Sequence, residues 1–202
     1  MAEVLSQIGQ AETFKQEGNT RFKDQNFRGA LGSYHKVFCY LNGLQLPGER
    51  NEASQYAEMM GRSAGSLQVP MEKLEDVKKL KQSTHLNMAA CYLKLGEHRK
   101  CIDACTKALS TSPLSKAYFR RGQAHLELRS LDEAKEDFER ARELEPDPAI
   151  DKELKRLRQA FSQHDAKEKK RFAKMFSKMQ EETESKEASS SGRCEAEAEK
   201  TA

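Results

Sequence analysis

The chain has 202 residues, of which 33% are charged and 7% aromatic, with no tryptophan. Its 35 basic and 32 acidic residues leave a net charge of +3, so no global field points to nucleic acid or to a membrane surface. This length suffices to bury a core without disulfides or metal, and the composition is typical of an all-α protein whose helices each turn one apolar stripe inwards.

Two helices are predicted in residues 11–44. Gly18 is a small residue in the first helix, and Ala30 is a small residue that opens the second. Small side chains at such positions let two antiparallel helices approach closely, while the bulky Tyr34 and Phe38 fill the space beside them. The segment therefore predicts one helical hairpin.

Residues 45–70 interrupt the helical pattern. They are rich in glycine, serine and proline, and we interpret them as a long inserted connection with room for a short helix at 52–60. The helix that follows, from residue 71, is longer than a standard repeat needs. Four apolar residues keep helical spacing along its first part: Leu74, Val77, Leu80 and Leu86.

Residues 71–113 and 114–146 share one pattern. When they are aligned from their closing prolines, small residues coincide, Ala89 with Gly122 and Cys101 with Ala134. The distance between the two prolines is close to the ~34-residue period of the tetratricopeptide repeat. Together with the hairpin at 11–44 this gives three repeats, about the number that buries a continuous core.

Residues 147–183 are predicted to form one long capping helix. Its apolar residues recur at spacings of three and four: Ile150, Leu154, Leu157, Phe161, Phe172, Met175, Phe176 and Met179. The first half should cover the last repeat, since an uncapped solenoid end exposes apolar surface. Residues 184–202 have almost no bulky apolar side chain, and we expect a disordered tail there. The prediction is an all-α solenoid domain at 1–183.

The N-terminus has neither a basic start nor an apolar run. No segment reaches the roughly 18 uninterrupted apolar residues of a membrane span. The five cysteines form no CxxC pair and are odd in number, which is typical of free thiols in a reducing compartment. We therefore expect a protein of the cytoplasm or the nucleus, without a membrane span.

Five polar residues of the predicted first helices contribute nothing to packing. Lys15 and Asn19 lie four residues apart on one helix face, as do Lys116 and Arg120, and Asn87 has the matching register in the repeat between them. First helices line the concave face of such an array, so these five donors should converge. Ammonium, amide and guanidinium groups suit a pair of carboxylates, above all a chain-terminal carboxylate beside an aspartate side chain. We predict a groove for an acidic peptide end.

The motifs that carry these residues resemble the dicarboxylate clamp of chaperone-binding tetratricopeptide-repeat proteins. KxxGN at 15–19, Asn87 in HLNMA and KAYFRRG at 116–122 match all five clamp positions. That class recognises the C-terminal Glu-Glu-Val-Asp tails of the 70- and 90-kDa heat-shock proteins. The resemblance implies a co-chaperone whose tail-binding residues are Lys15, Asn19, Asn87, Lys116 and Arg120.

Other segments are similar to particular branches of that class. The long insert and the run KEKKRFAKMF look like the tetratricopeptide halves of the FK506-binding immunophilins and of the aryl-hydrocarbon-receptor-interacting protein. SYHKVFCYLNGL looks like the tetratricopeptide repeat protein 9 family. The similarity covers roughly residues 8–180. The resemblance does not extend to the prolyl-isomerase domain that precedes the repeats in the immunophilins, so the activity that the chaperone would serve stays open.

Metal binding and catalysis are not expected. His98, Cys101 and Cys105 have helical spacing, but the cysteines occupy packing positions and no fourth ligand is near in sequence, whereas structural zinc prefers four. The sequence has no nucleophile elbow, P-loop or glycine-rich phosphate loop. We predict a protein that is not an enzyme and needs no cofactor.

Two other interpretations stay open for a second protein partner or an alternative function. One is a scaffold that assembles through the capping helix or the 45–70 insert and uses no chaperone. The other is calmodulin or membrane-surface binding by residues 166–179, which combine lysines with aromatic and methionine side chains; we favour an extension of the capping helix. Nucleic acid is not expected as a partner, because acidic residues interleave with basic ones.

Overall fold

The computed structural model describes residues 2–42, 44–45 and 67–198. Within these ranges the chain forms seven α-helices: α1 (Ala2–Lys23), α2 (Phe27–Leu41), α3 (Met71–Leu95), α4 (His98–Leu109), α5 (Ser115–Glu127), α6 (Leu131–Leu144) and α7 (Pro148–Ala198). Two strands of two residues, β1 (Leu44–Gln45) and β2 (Leu67–Gln68), pair in parallel. The prediction of an all-α protein is confirmed, and the short helix expected at 52–60 lies outside the described residues.

Two compact units divide the chain between Leu154 and Lys155. The first unit holds α1 to α6 and the first turns of α7. Its helices pack as three hairpins: α1 with α2, α3 with α4, and α5 with α6. Helix α2 also packs against α3, and α4 against α5, so each hairpin contacts the next. This is the stacking that the repeat pattern predicts.

Local sequence signals set the ends of several helices. The side chain of Asn26 accepts a hydrogen bond from the backbone N–H of Gly29 at 2.9 Å and so caps the start of α2. Gly96 ends α3 with a φ of 73°, the left-handed conformation that glycine adopts without strain. At the start of α7, the Asp147 carboxylate accepts from the backbone N–H of Ala149 at 2.7 Å.

Two glycines on first helices make room for aromatic rings of second helices. Gly18 of α1 lies so close to the ring of Tyr34 that an added Cβ would overlap it. A Cβ on Gly122 of α5 would lie 2.9 Å from the ring of Phe138. Both rings are fully buried. The small residues and the bulky fillers of the repeat pattern therefore meet as pairs.

Helix α1 begins well before residue 11, where we placed the start of the first repeat. Val4 and Ile8 lie in this additional segment and are buried. They are four residues apart, on one helix face, and they share an apolar cluster with Leu44 and Val69. The two ends of the insert are therefore fastened to the first hairpin, and the earlier start of α1 supplies the surface that holds them.

The first turns of α7 belong to the first unit. Ile150 and Leu154 are buried there, and the amide of Gln123 in α5 donates to the Glu153 carboxylate at 3.1 Å. These contacts place the start of α7 against the third hairpin, where a solenoid needs a cap.

The second unit is the rest of α7. Its side chains from 162 to 182 are almost all exposed. Where we predicted a disordered tail from residue 184, the structure instead continues the helix to Ala198, and 199–202 lie outside the described residues. Extension of a helix that is already formed costs little, and the alanines and glutamates common in this segment are good helix formers.

No helix in the described part of the chain has an apolar stretch long enough to cross a membrane. Within the same ranges, no three side chains of histidine, cysteine, aspartate or glutamate are grouped so that they could hold a metal ion. Cys101 and Cys105 are buried with their sulfurs 4.0 Å apart. Their mutual hydrogen bond and burial raise the pKa of the Cys105 thiol, and both side chains are packing groups of the core.

Candidate peptide-binding site

Three hydrogen bonds connect the first helices of the three hairpins. Between α1 and α3, the Lys15 ammonium donates to the Ser83 hydroxyl at 2.6 Å, and Asn87 Nδ2 donates to Asn19 Oδ1 at 2.9 Å. Between α3 and α5, Arg120 Nη1 donates to a backbone carbonyl of α3 at 2.7 Å. Residues of the predicted site on α1, α3 and α5 therefore lie side by side.

A pocket of about 290 Å³ lies between these helices. It is lined by Asn19, Phe22, Lys23, Tyr34, Asn87, Ala90 and Arg120. Three of the five predicted residues belong to this lining, and Lys15 and Lys116 do not. Each of the two lysines lies one helical turn before a lining residue of its own helix. Both cations therefore lie on the N-terminal side of the pocket residues. Lys15 is half-buried and Lys116 is exposed.

The side-chain amide of Asn19 is held by two donors. Its Oδ1 accepts from the Tyr34 hydroxyl at 2.8 Å and from Asn87 Nδ2 at 2.9 Å. A carbonyl oxygen has two lone pairs, and both are used in this arrangement. The two N–H groups of Asn19 Nδ2 are consequently the part of the amide that remains for a ligand.

The pocket has positive charge without a matching carboxylate. Lys23 and Arg120 belong to its lining, and no aspartate or glutamate among the described residues does. Within the part of the chain that the structure describes, the Arg120 guanidinium has one acceptor, the α3 carbonyl, so most of its five N–H groups are open. Burial raises the pKa of Cys91 to about 11 against the opposing charge of Arg120, and this thiol therefore adds no negative charge at neutral pH.

Lys15 is partly dehydrated. Burial lowers the pKa of Lys15, and the charge of Glu12 opposes that shift. A carboxylate placed beside such an ammonium favours its charged form, so an anionic ligand would raise this pKa again. The site thus combines amide donors with cations that gain from a negative partner.

The register of Asn19 differs from the prediction. We expected Asn19, Asn87 and Arg120 at equivalent positions of their helices. Arg120, however, precedes by two residues the glycine that makes room for a ring, Gly122, whereas Asn19 directly follows the corresponding Gly18. Asn19 nevertheless meets Asn87, so neighbouring first helices are offset along the groove.

Sequence reasoning missed the other lining residues. Tyr34 was assigned to packing alone, and Phe22, Lys23 and Ala90 had no assigned role. Helical spacing could have found these last three, because Phe22 and Lys23 follow Asn19 by three and four residues and Ala90 stands three residues after the asparagine of its own helix. Tyr34 comes from a second helix, and no spacing rule places its hydroxyl in the pocket.

The neighbouring Arg121 has a structural role. Its guanidinium pairs with the buried Asp137 of α6 through three hydrogen bonds, at 2.6, 2.9 and 3.1 Å, and this hydrogen bonding raises the pKa of Arg121. His125 Nε2 lies 3.8 Å from the same carboxylate. The two arginines of KAYFRRG therefore point to different places: Arg120 to the pocket and Arg121 into the third hairpin.

Comparison with known proteins agrees with this architecture. Residues 83–113 and 115–148 match models of the tetratricopeptide repeat, and these ranges hold most of the second hairpin and all of the third. The stacked hairpins and the two matches show that this chain contains tetratricopeptide repeats, as predicted.

The similar curated proteins include peptidyl-prolyl cis-trans isomerase FKBP4 from two mammals. The mouse protein is 31% identical over 177 residues, which are 87% of this chain and 34% of that protein. The human protein is 30% identical over 188 residues, 92% of this chain and 36% of that protein. The chain thus spans about a third of the length of these relatives, and it is homologous to the tetratricopeptide-repeat domain of such FK506-binding immunophilins.

Solved structures share the fold. The C-terminal tetratricopeptide domain of a Plasmodium falciparum FK506-binding protein has a TM-score of 0.65 at 22% identity, over 81% of this chain and 95% of that one. The first such domain of Spaghetti (RPAP3), bound to the HSP90 peptide SRMEEVD, has a TM-score of 0.56 at 25% identity, over 77% and 95%. The Hsp90 co-chaperone Cns1 from Saccharomyces cerevisiae has a TM-score of 0.58 at 27% identity, over 80% and 42%.

Proposed function

We propose that this chain is a protein-binding adaptor, or co-chaperone, that binds the C-terminal EEVD-type tail of a 70- or 90-kDa heat-shock chaperone. The residues proposed to form its carboxylate clamp are Lys15, Asn19, Asn87, Lys116 and Arg120. The observation that supports this most directly is that Asn19, Asn87 and Arg120 line the same pocket.

The chemistry of the pocket fits two adjacent carboxylates. Asn19 offers the N–H groups of an amide whose oxygen is already engaged. Arg120 offers a planar fork with open N–H groups, which suits a carboxylate better than a point charge does. Lys15 and Lys116, one turn away on the same helices, add positive charge next to the chain end. A terminal aspartate supplies both carboxylates on one residue.

Two of the similar structures support the class of ligand. The Spaghetti domain was solved with a peptide that ends in EEVD, and Cns1 is described as an Hsp90 co-chaperone. Both are at least 25% identical to this chain over three quarters of its length or more. The FKBP4 relatives are named for isomerase activity, and we propose binding rather than catalysis for the third of their length that this chain spans.

Calorimetric titration tests the proposal. The heptapeptide SRMEEVD as a free acid should bind, and the same peptide with an amidated C-terminus should bind far more weakly, because it lacks the terminal carboxylate. Arg120→Ala should weaken binding of the free acid by about 2 to 5 kcal/mol, a loss of roughly thirtyfold or more, because it leaves a bound carboxylate unpaired.

The matched control is Lys135→Ala. Lys135 is an exposed lysine on α6, the second helix of the same repeat, so its removal subtracts one charge without touching the pocket. Circular dichroism should show both variants folded. Equal affinity for the acid and amide peptides, or an Arg120→Ala variant that binds like the wild type, would exclude the clamp.

A further inference from the structure

Tyr34 places a hydroxyl at the inner wall of the pocket. The residue is 1% exposed, and its ring fills the space left by Gly18 on the facing helix. The ring alone accounts for packing, because the third repeat fills the equivalent space above Gly122 with Phe138, which has no hydroxyl. The hydroxyl of Tyr34 therefore needs a separate explanation.

That hydroxyl donates to Asn19 Oδ1 at 2.8 Å, beside the second donor, Asn87 Nδ2, at 2.9 Å. If the Asn19 amide rotated by half a turn, its NH₂ group would face Asn87 Nδ2, which can only donate, and that hydrogen bond would be lost. The Tyr34 hydroxyl would have to accept instead of donate, and Oδ1 would face the groove. An oxygen in that place repels a carboxylate. The orientation of Asn19 thus decides whether the pocket attracts or repels an anion.

We propose that Tyr34 is a positioning residue: its hydroxyl fixes the Asn19 amide with both N–H groups directed at the terminal carboxylate of a bound peptide. This rests on the proposed function for its ligand and extends it to a residue outside the clamp. Burial raises the pKa of Tyr34 to about 12, so the hydroxyl keeps its proton, and its role as a donor, throughout the physiological pH range.

Tyr34→Phe is the sharpest test, since it keeps the ring and removes only the hydroxyl. It should weaken binding of free-acid SRMEEVD by about fivefold to tenfold, because the Asn19 amide is no longer held in one orientation. The melting temperature should fall slightly, since the hydrogen bond to Asn19 is also lost from the unbound fold. Tyr40→Phe is the matched control, because Tyr40 lies on the same helix, stacks on Phe14 and does not line the pocket. It should leave affinity unchanged.

A double-mutant cycle separates positioning from packing. If Tyr34 acts through Asn19, removal of its hydroxyl should cost nothing further in an Asn19→Ala background. An equal loss in both backgrounds would mean that the hydroxyl acts on the ligand or on the fold by itself, and the proposal would be wrong.

Nuclear magnetic resonance relaxation of the Asn19 side-chain amide gives a second readout that needs no peptide. Its order parameter should be in the rigid range in the wild type and in Tyr40→Phe, and should fall below about 0.6 in Tyr34→Phe. If the wild type binds neither peptide, the clamp fails, and this measurement alone decides about Tyr34. An Asn19 amide that stays rigid in Tyr34→Phe overturns the positioning role.

Discussion

Two adjacent arginines in the third repeat have different roles, one in the pocket and one in the stability of the fold. Arg120 reaches a backbone carbonyl of α3 and otherwise faces the pocket. Arg121 turns the other way and pairs with Asp137, whose side chain is 5% exposed. We therefore expect changes at Arg120 to affect binding with little effect on stability, and changes at the Arg121–Asp137 pair to affect stability.

Asp137→Ala should lower the free energy of unfolding by about 3 kcal/mol. The change removes an ion pair with three hydrogen bonds and leaves the Arg121 guanidinium without its carboxylate. The cost falls at the lower end for buried pairs because Arg121 is 24% exposed and can regain water. Urea unfolding followed by circular dichroism measures the effect.

Glu143→Ala is the control for this prediction. Glu143 pairs with Arg140 on the surface of the same helix, and both side chains are more than 60% exposed. Exposed pairs of this kind contribute little to stability. The free energy of unfolding of this variant should therefore lie within about 0.5 kcal/mol of the wild-type value. A similar loss of stability in both variants would mean that the burial of Asp137 does not explain the contribution of its ion pair to stability.

Part of the site could be predicted from single residues. Asn19, Asn87 and Arg120 were placed in one site because polar residues on first helices have no packing role to explain them. Their register was wrong for Asn19, although the glycines carry the signal in the sequence: Asn19 directly follows Gly18, whereas Arg120 precedes Gly122 by two residues. The hydroxyl of Tyr34 was missed for another reason: its partner is on another helix, and the ring already had a role in packing.

At the scale of helices, the close approach of α1 and α2 in the first hairpin depends on Gly18, which has no side chain. Gly18→Ala should destabilise the protein by about 1 to 3 kcal/mol, because the added methyl group overlaps the ring of Tyr34 and forces α1 and α2 apart. The same shift moves the Tyr34 hydroxyl relative to Asn19, so affinity for the acidic peptide should fall as well. Thermal unfolding and calorimetry measure the two effects.

Gly32→Ala provides the contrast. Gly32 lies in the interior of α2, and an added Cβ there meets nothing within 4 Å. Alanine is the better helix former by about 0.5 to 1 kcal/mol, so this variant should be more stable than the wild type. If Gly18→Ala were equally stabilising, the close packing of Gly18 against Tyr34 would be disproved.

The hairpins could be predicted from sequence more fully than their ends. Small residues at repeated positions indicate where helices cross, and the pairs Gly18–Tyr34 and Gly122–Phe138 follow from that pattern. The earlier start of α1 could not be found in this way, because Val4 and Ile8 pack against the ends of the insert and not against a repeat. Helix α7 beyond residue 184 has no apolar stripe to reveal it, and Ser189, Ser190, Ser191 and Gly192 within it are poor helix formers.

At the scale of the whole molecule, stability should be distributed unevenly between the two units. The first unit has a core that runs through its stacked hairpins, with Tyr34, Cys91 and Cys101 among its buried members. The second unit is a single helix, and four large apolar side chains on it are about half exposed: Phe172, Met175, Phe176 and Met179. Leu157 and Ala160 near its start are buried, but no described side chain from 161 to 182 is. A helical segment without buried side chains is only marginally stable in water.

Native-state hydrogen exchange should therefore separate the two units. Amides of residues 169–182, where every side chain is exposed, should exchange with little protection because the helix opens locally without unfolding a core. Amides in the middle of α2 and α6, which carry the buried Tyr34 and Phe138, should exchange only through opening close to the global free energy of unfolding. Strong protection at 169–182 would contradict this, and it would mean that the apolar side chains are covered in solution. If that protection rose with protein concentration, a second copy of the chain would be the cover.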